Sequence, residues 1–446
     1  MHTDLTQGPI ISHVRQLAIP AAIGFFFHTM FNVTDTYFAG KVSTDALAAL
    51  SLTFPIFFMI ISIGAGMSEA VTTLIGNALG SKDHQKAKQI VWHAFLMGAI
   101  LSLTLTSIGI TVAPYLMQHL GASGNYLHVS LDYILTLLWA GLFFIFSYFI
   151  NAMLSAIGDL RSFRNILIIS FFINIVLDYW FVYGGLGISP LGVKGIAVAT
   201  VITEALGMIY LAYKLKISLL LHDMPKFQYD RSIIVNLIKQ GIPPTANLLL
   251  MAGGIFIITY FASQYGKDAI AGMGIGMRVE QIALMPALGL SMSVLSVVSQ
   301  NNGANAFGRI DETIRVALKD AFYLSIVGIL LLGFQAEFLV SLFTSDTVVI
   351  SQGVIYTEIA AAALFGYVLI FTYLSLLQGI QRPAMLFYIS VTRQIILPII
   401  IFNILIYFSL DIDALWWALT TIVWASALFV IWYARRSLTE VRSVVK

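Results

Sequence analysis

Asp35, Asn174, Asp178 and Thr200 are the residues of this chain whose types and spacing could do the most demanding chemistry. Each lies inside a long apolar run. A carboxylate at the centre of a membrane-spanning helix costs about 2.5–3.5 kcal/mol on insertion scales, so each acid there needs a reason. Asn174 and Asp178 are four residues apart and share one helix face. His28, Asn32 and Asp35 recur at i, i+4, i+7 and make a second polar stripe. Two carboxylates held together in a low dielectric cannot both ionise cheaply, so one should hold a proton. Such a group can take a proton up on one side of a membrane and release it on the other. Two carboxylates with Asn and Thr oxygens could equally cage Na⁺, and the residue types leave both ions open.

Further polar residues fall in the apolar runs. His28, Asn32, Asn151 and Glu204 are candidates for a relay or for lining the site, and Pro20 for a hinge, because a helix lacking one backbone bond bends at lower cost. Glu69 and Glu280 read as structural. Arg278 and Glu280 are at i, i+2 and do not face each other. Arg393 is a buried charge without an assigned partner. Glycine clusters such as Gly272-x-Gly274-x-Gly276 suit close helix packing. No catalytic constellation is present: there is no cysteine, no HExxH and no histidine cluster, and Gly76–Lys82 lacks the Gly-Lys-Ser/Thr ending of a phosphate loop. The chain reads as no enzyme, with no cofactor and no metal beyond H⁺ or Na⁺.

The elements that must position these residues are membrane helices. The 446 residues are 59% hydrophobic and 10% charged, where a soluble domain carries about 25% charged residues. Lipid must be most of the solvent. A net charge of +2 gives no footprint for nucleic acid. Runs of about 20 apolar residues predict twelve spans, near 15–40, 46–79, 88–116, 126–157, 163–184, 192–215, 234–263, 269–299, 316–342, 350–379, 384–408 and 413–436. With both termini cytoplasmic, the inside segments hold 19 Lys and Arg, from Arg15 to Lys446, and the outside loops hold 3: Lys41, Lys194 and Lys267. One missed span would invert every later loop, so this split supports twelve spans in the inner (plasma) membrane.

Depth then groups the candidates. Asp35 lies five residues before the outer end of the first span, Asp178 six before the outer end of the fifth, and Thr200 eight past the outer start of the sixth. At about 1.5 Å per residue, all three share one level in the outer half of the first lobe.

The chain also repeats itself at an offset of 223. Ile19-Pro20 matches Ile242-Pro243, Tyr37-Phe38-Ala39 matches Tyr260-Phe261-Ala262, Gly80 matches Gly303, and Tyr133 matches Tyr356. Each half holds an even number of spans and enters the membrane the same way round. The expected fold is all-α and polytopic, with two six-helix lobes, 1–222 and 223–446, related by a pseudo-two-fold along the membrane normal. Repeats of this kind put the substrate path between the halves and alternate access by rocking them.

Several motifs resemble the multidrug and toxic compound extrusion (MATE) family over essentially the whole chain. Gln300-Asn301-Asn302-Gly303-Ala304 is close to the family's Gln-Asn-x-Gly-Ala at the cytoplasmic end of helix 8, and Arg309, a little after it, also fits. Asn151 to Asp159 looks like the family's end of helix 4, and Gln378 to Pro383 like its counterpart after helix 10. The resemblance implies a monomeric antiporter that exports cationic or amphipathic compounds. Asp35 with Asn174 and Asp178 is similar to the DinF-like branch, and this leans the ion toward H⁺. The NorM-like branch has acids in helices 7 and 10. Here the seventh span has none, the tenth has only Glu358 near its outer end, and a cation site in the second half is not expected. A fourteen-helix lipid-linked oligosaccharide flippase of the same superfamily is the alternative that the count of twelve opposes.

Overall fold

Most of the apolar runs too long for one bilayer crossing become helices that are longer still. The computed structural model describes residues 4–185 and 187–445; Lys446, one of the predicted inside charges, lies outside them. The chain is α1 (Ile10–Val42), α2 (Thr44–Gly80), α3 (His84–His119), α4 (Gly124–Trp139), α5 (Gly141–Ala156), α6 (Arg161–Tyr183), α7 (Val193–Lys216), α8 (Arg231–Ala262), α9 (Lys267–Gly303), α10 (Phe307–Phe334), α11 (Ala336–Ser341), α12 (Thr347–Gly379), α13 (Ala384–Val391), a π-helical turn Thr392–Ile396, α14 (Leu397–Tyr407) and α15 (Ile412–Val445). No strand forms among the described residues beyond one bridge, Gly185 to Ile188. Eleven helical stretches can cross a membrane, and the bent pair α4–α5 makes a twelfth. The protein is an all-α, multi-pass membrane protein.

The repeat is written into the helix starts. Thr44 and Lys267, His84 and Phe307, Gly124 and Thr347, and Arg161 and Ala384 each begin a helix 223 residues apart. By contact, the chain divides into two compact units. One is built on Ile23–Thr245; the other combines Leu5–Ala22 with Ala246–Lys446. The points of exchange, after Ala22 and after Thr245, again differ by 223, and each follows a helix-interior proline, Pro20 or Pro243, by two residues.

Three elements depart from the expected spans. The fourth is broken at Ala140 by 46°. No proline causes this. Thr106 of α3 donates to the Leu138 carbonyl at 3.1 Å, and a Cβ on Gly141 would lie 2.4 Å from the Thr106 hydroxyl. A side chain inserted into the i→i−4 ladder, beside a glycine that leaves it room, is a recognised origin of kinks. The ninth span begins at Phe307 rather than near 316 and stops at Phe334. Its charged first turns are helical although they are too polar to register as a span. In the eleventh, Leu397 N–H bonds to Thr392 O, five residues back. Pro398 has no N–H for Gln394, and the π turn absorbs the mismatch.

The motif that ends α9, with Arg309 just beyond it, has a physical task. Arg309 donates to Asn301 Oδ1 at 2.9 Å, to Gly8 O at 2.9 Å and to Leu5 O at 3.0 Å. Gln300 Oε1 accepts from Leu5 N at 2.9 Å. These side chains take up the backbone groups of the segment leading into α1, which has no helix or sheet to satisfy them.

Candidate functional site

Within the first unit, α1 brings Asp35, α6 brings Asn174 and Asp178, and α7 brings Thr200 to one place. Gly195 sets the approach of α7: a Cβ there would stand 2.7 Å from the Phe181 carbonyl group of α6. Three residues before Phe181 is Asp178, and five after Gly195 is Thr200. Small residues permit this backbone proximity. Asp35, Asn174, Asp178 and Thr200 are all buried, at 6%, 0%, 0% and 6% exposure. Thr200 Oγ1 donates to Asp35 Oδ2 at 3.1 Å and lies 3.0 Å from Ile196 O. Asn174 and Asp178 are within interaction range of Asp35. Around them packs an apolar shell including Phe38, Leu137, Val182 and Ile196.

The site is conspicuous for what it leaves unsatisfied. Asp35 Oδ1, both Asp178 carboxylate oxygens and both polar atoms of the Asn174 amide are buried without a hydrogen-bond partner. Buried polar groups are nearly always paired, and exceptions call for a specific explanation such as a proton or an ion. The donor set is hard oxygen throughout, which fits either. Among the described residues no group of three or more His, Cys, Asp or Glu could hold a metal ion.

Other sequence candidates are placed apart from this cluster. His28 and Asn32 are exposed, and the Asn32 amide donates to His28 O of its own helix at 2.9 Å. The three residues of the expected stripe therefore do not share one buried environment, Asp35 being buried and the other two exposed: a carboxamide can satisfy itself on the preceding turn. Asn151 is buried, with its neighbours Phe149, Ile150 and Ala152 in a separate apolar cluster. Glu204, one turn past Thr200, accepts from Ser147 at 3.2 Å. α1 runs through Pro20 as one helix.

Tyr133 of α4 is the residue that sequence reasoning missed as part of the site. It is buried and lies in the electrostatic reach of both Asp35 and Asp178. The available signal was its match to Tyr356 across the repeat. In the second unit, Tyr356 donates to Glu280 Oε2 at 2.7 Å, and Arg393 lies over the Tyr367 ring at 5.5 Å. Glu280 thus has a side-chain partner on α12, while Arg278 is exposed.

Comparison with known proteins follows the same repeat. A family model described as MatE matches residues 20–180 and 243–405, segments that begin 223 apart. The probable multidrug resistance protein YoeA of Bacillus subtilis (strain 168) is 30% identical over 332 residues, 73% of this chain and 72% of that protein. The FAD transporter of Shewanella oneidensis is 28% identical over 418 residues, 88% of this chain and 87% of that protein. A solved MOP superfamily transporter from Pyrococcus furiosus has a TM-score of 0.92 over 98% of both chains at 22% identity, a likeness of fold.

Proposed function

The chain belongs to the MatE family, and on that premise we propose that this membrane transporter is a proton-coupled exporter of cationic or amphipathic compounds, with Asp35 and Asp178 as the coupling carboxylates. The carrying observation is the set of buried, partnerless oxygens on Asp35 and Asp178. One shared proton would give these carboxylates a donor and remove one of two like charges from an apolar shell. Asn174 and Thr200 orient the pair, and protonation rearranges α1 about Pro20. The cycle takes the proton outside and releases it inside, with both termini in the cytoplasm and the chain in the plasma membrane as a monomer. Among the branches of the family, the DinF-like one has this arrangement of acids. One charge crossing 100 mV supplies about 2.3 kcal/mol, enough to hold a neutral solute at a roughly 50-fold gradient.

Proteoliposomes test the reading. Tetraphenylphosphonium movement is measured under a proton gradient alone and under a sodium gradient alone. Export driven by protons and lost in Asp35→Asn is the expected result. Export driven by sodium alone reassigns the same four side chains to Na⁺. If Asp35→Asn exports as well as wild type at equal expression, the carboxylate mechanism is wrong. A second reading, export of an anionic dinucleotide, is favoured by the similarity to the FAD transporter over 88% of the chain; FAD flux in the same vesicles decides it.

A further inference from the structure

Glu280, Tyr356, Tyr367 and Arg393 form a charged cluster in the second unit that the proposed coupling site does not use. Gly276 lies one turn before Glu280 on α9, and a Cβ there would stand 2.4 Å from Tyr356 Cδ1. The absent side chain lets the Tyr356 ring lie against α9, so its hydroxyl reaches Glu280 Oε2. Arg393 stands over the Tyr367 ring and also interacts with the Glu280 carboxylate and the Tyr367 hydroxyl. Both charged residues are 8% exposed. The guanidinium is nevertheless not locked onto a carboxylate. Its Nε has no hydrogen-bond partner, and the ion pairs within 4.0 Å among the described residues are made by other basic residues. An arginine buried for structure alone is normally locked by a bidentate carboxylate. Arg393 also sits in the π turn, a kind of irregularity that recurs at functional sites.

We propose that Glu280, Tyr356 and Tyr367 form a binding box for lipophilic organic cations, which Arg393 fills as a tethered cation when no such ligand is bound. A carboxylate beside tyrosine ring faces is the chemistry that recognises delocalised and quaternary cations. A ligand of this class takes the place of the guanidinium over Tyr367, and the displaced side chain gives up its contacts with Tyr367 and Glu280 but no close ion pair. The repeat supplies a contrast. Position 170, 223 before Arg393, is Ser170, so the first unit's carboxylates have no inner cation at the matching place. The seventh and tenth spans argued against a cation site in this half; the carboxylate comes instead from the eighth, where its partner was out of view. The inference takes its ligand class from the export reading, and binding in the absence of any gradient tests it separately from coupling.

The experiment is equilibrium binding of tetraphenylphosphonium to the purified full chain, with the melting temperature of each variant. Arg393→Gln removes the competitor and tightens binding roughly tenfold, about 1.4 kcal/mol. Glu280→Gln weakens it by a similar factor. Ethylguanidinium competes with tetraphenylphosphonium in Arg393→Ala and not in wild type. Equal or weaker binding in a folded Arg393→Gln, or no effect of Glu280→Gln, overturns the proposal. Should Arg393→Gln fail to fold, Tyr367→Leu carries the test: weaker binding supports the box and unchanged binding overturns it. Repeating the Glu280→Gln comparison in an Asp35→Asn background separates the two sites, because a dependence on Glu280 there stands whatever becomes of coupling.

Discussion

Tyr133 and Tyr356 occupy one position of the repeat, and they face different company. In the first unit the tyrosine lies near two carboxylates drawn from α1 and α6, both with partnerless oxygens. In the second it is bonded to one carboxylate from α9, with an arginine from the π turn nearby. The helix starts around them coincide at the 223 offset. Duplication has thus kept the scaffold and the tyrosine, while the acids come from helices that do not match, α1 and α6 in one unit and α9, the counterpart of α2, in the other. A half-site with two acids and no base has to find a proton or an ion from outside. A half-site with one acid and one base is neutral as built. The two chemistries proposed above follow from that difference.

The largest effect that could break this comparison is on coupling. Asp178→Asn should abolish proton-driven accumulation of a neutral amphipathic solute, a loss of up to about 50-fold for one charge across 100 mV. Glu280→Gln should leave that accumulation intact while lowering affinity for organic cations. Vesicle uptake with a neutral and a cationic dye reads both, and the reverse pattern would exchange the roles of the two units.

A smaller effect separates the tyrosines. Tyr356→Phe leaves Glu280 Oε2 without its donor in the interior, which costs about 1–3 kcal/mol. Among the described residues no hydrogen bond joins Tyr133 to Asp35 or Asp178, so Tyr133→Phe should cost less. Thermal unfolding of the two purified variants checks this. An equal drop would mean that Tyr133 is bonded as tightly as Tyr356.

Composition and loop charge made the spans legible, because lipid imposes length and apolarity on every crossing. Depth along those spans was enough to gather Asp35, Asp178 and Thr200. What escaped was whatever depends on rotation or on another helix. Asn32 fits the stripe of Asp35 by spacing, yet it is exposed and turns back on its own helix. The bend at Ala140 is made by Thr106, thirty-odd residues earlier in the chain. Arg393 had no partner in any local window, since Glu280 and Tyr367 lie on α9 and α12. The π turn that carries it is visible in sequence only as Pro398.

The smallest effect is the most discriminating about the ion. Thr200 has one hydroxyl proton and two acceptors within reach, Asp35 Oδ2 at 3.1 Å and Ile196 O at 3.0 Å. It can donate fully to only one of them. If it serves Ile196, the contact with Asp35 requires that the carboxyl be the donor, and therefore protonated. The matching position of the second half is Val423, which is buried at 2%, so Thr200→Val installs a side chain that the repeat already tolerates. Under proton coupling this substitution removes one hydrogen bond, about 0.5–1.5 kcal/mol, and export should fall by less than about tenfold while the proton still drives it. Under sodium coupling the hydroxyl is an ion ligand with no substitute in valine. Export should then collapse as far as in Asp35→Asn, and Thr200→Ser should restore it. Measuring gradient-driven export for Thr200→Val, Thr200→Ser and Asp35→Asn side by side distinguishes an orienting hydroxyl from a ligating one.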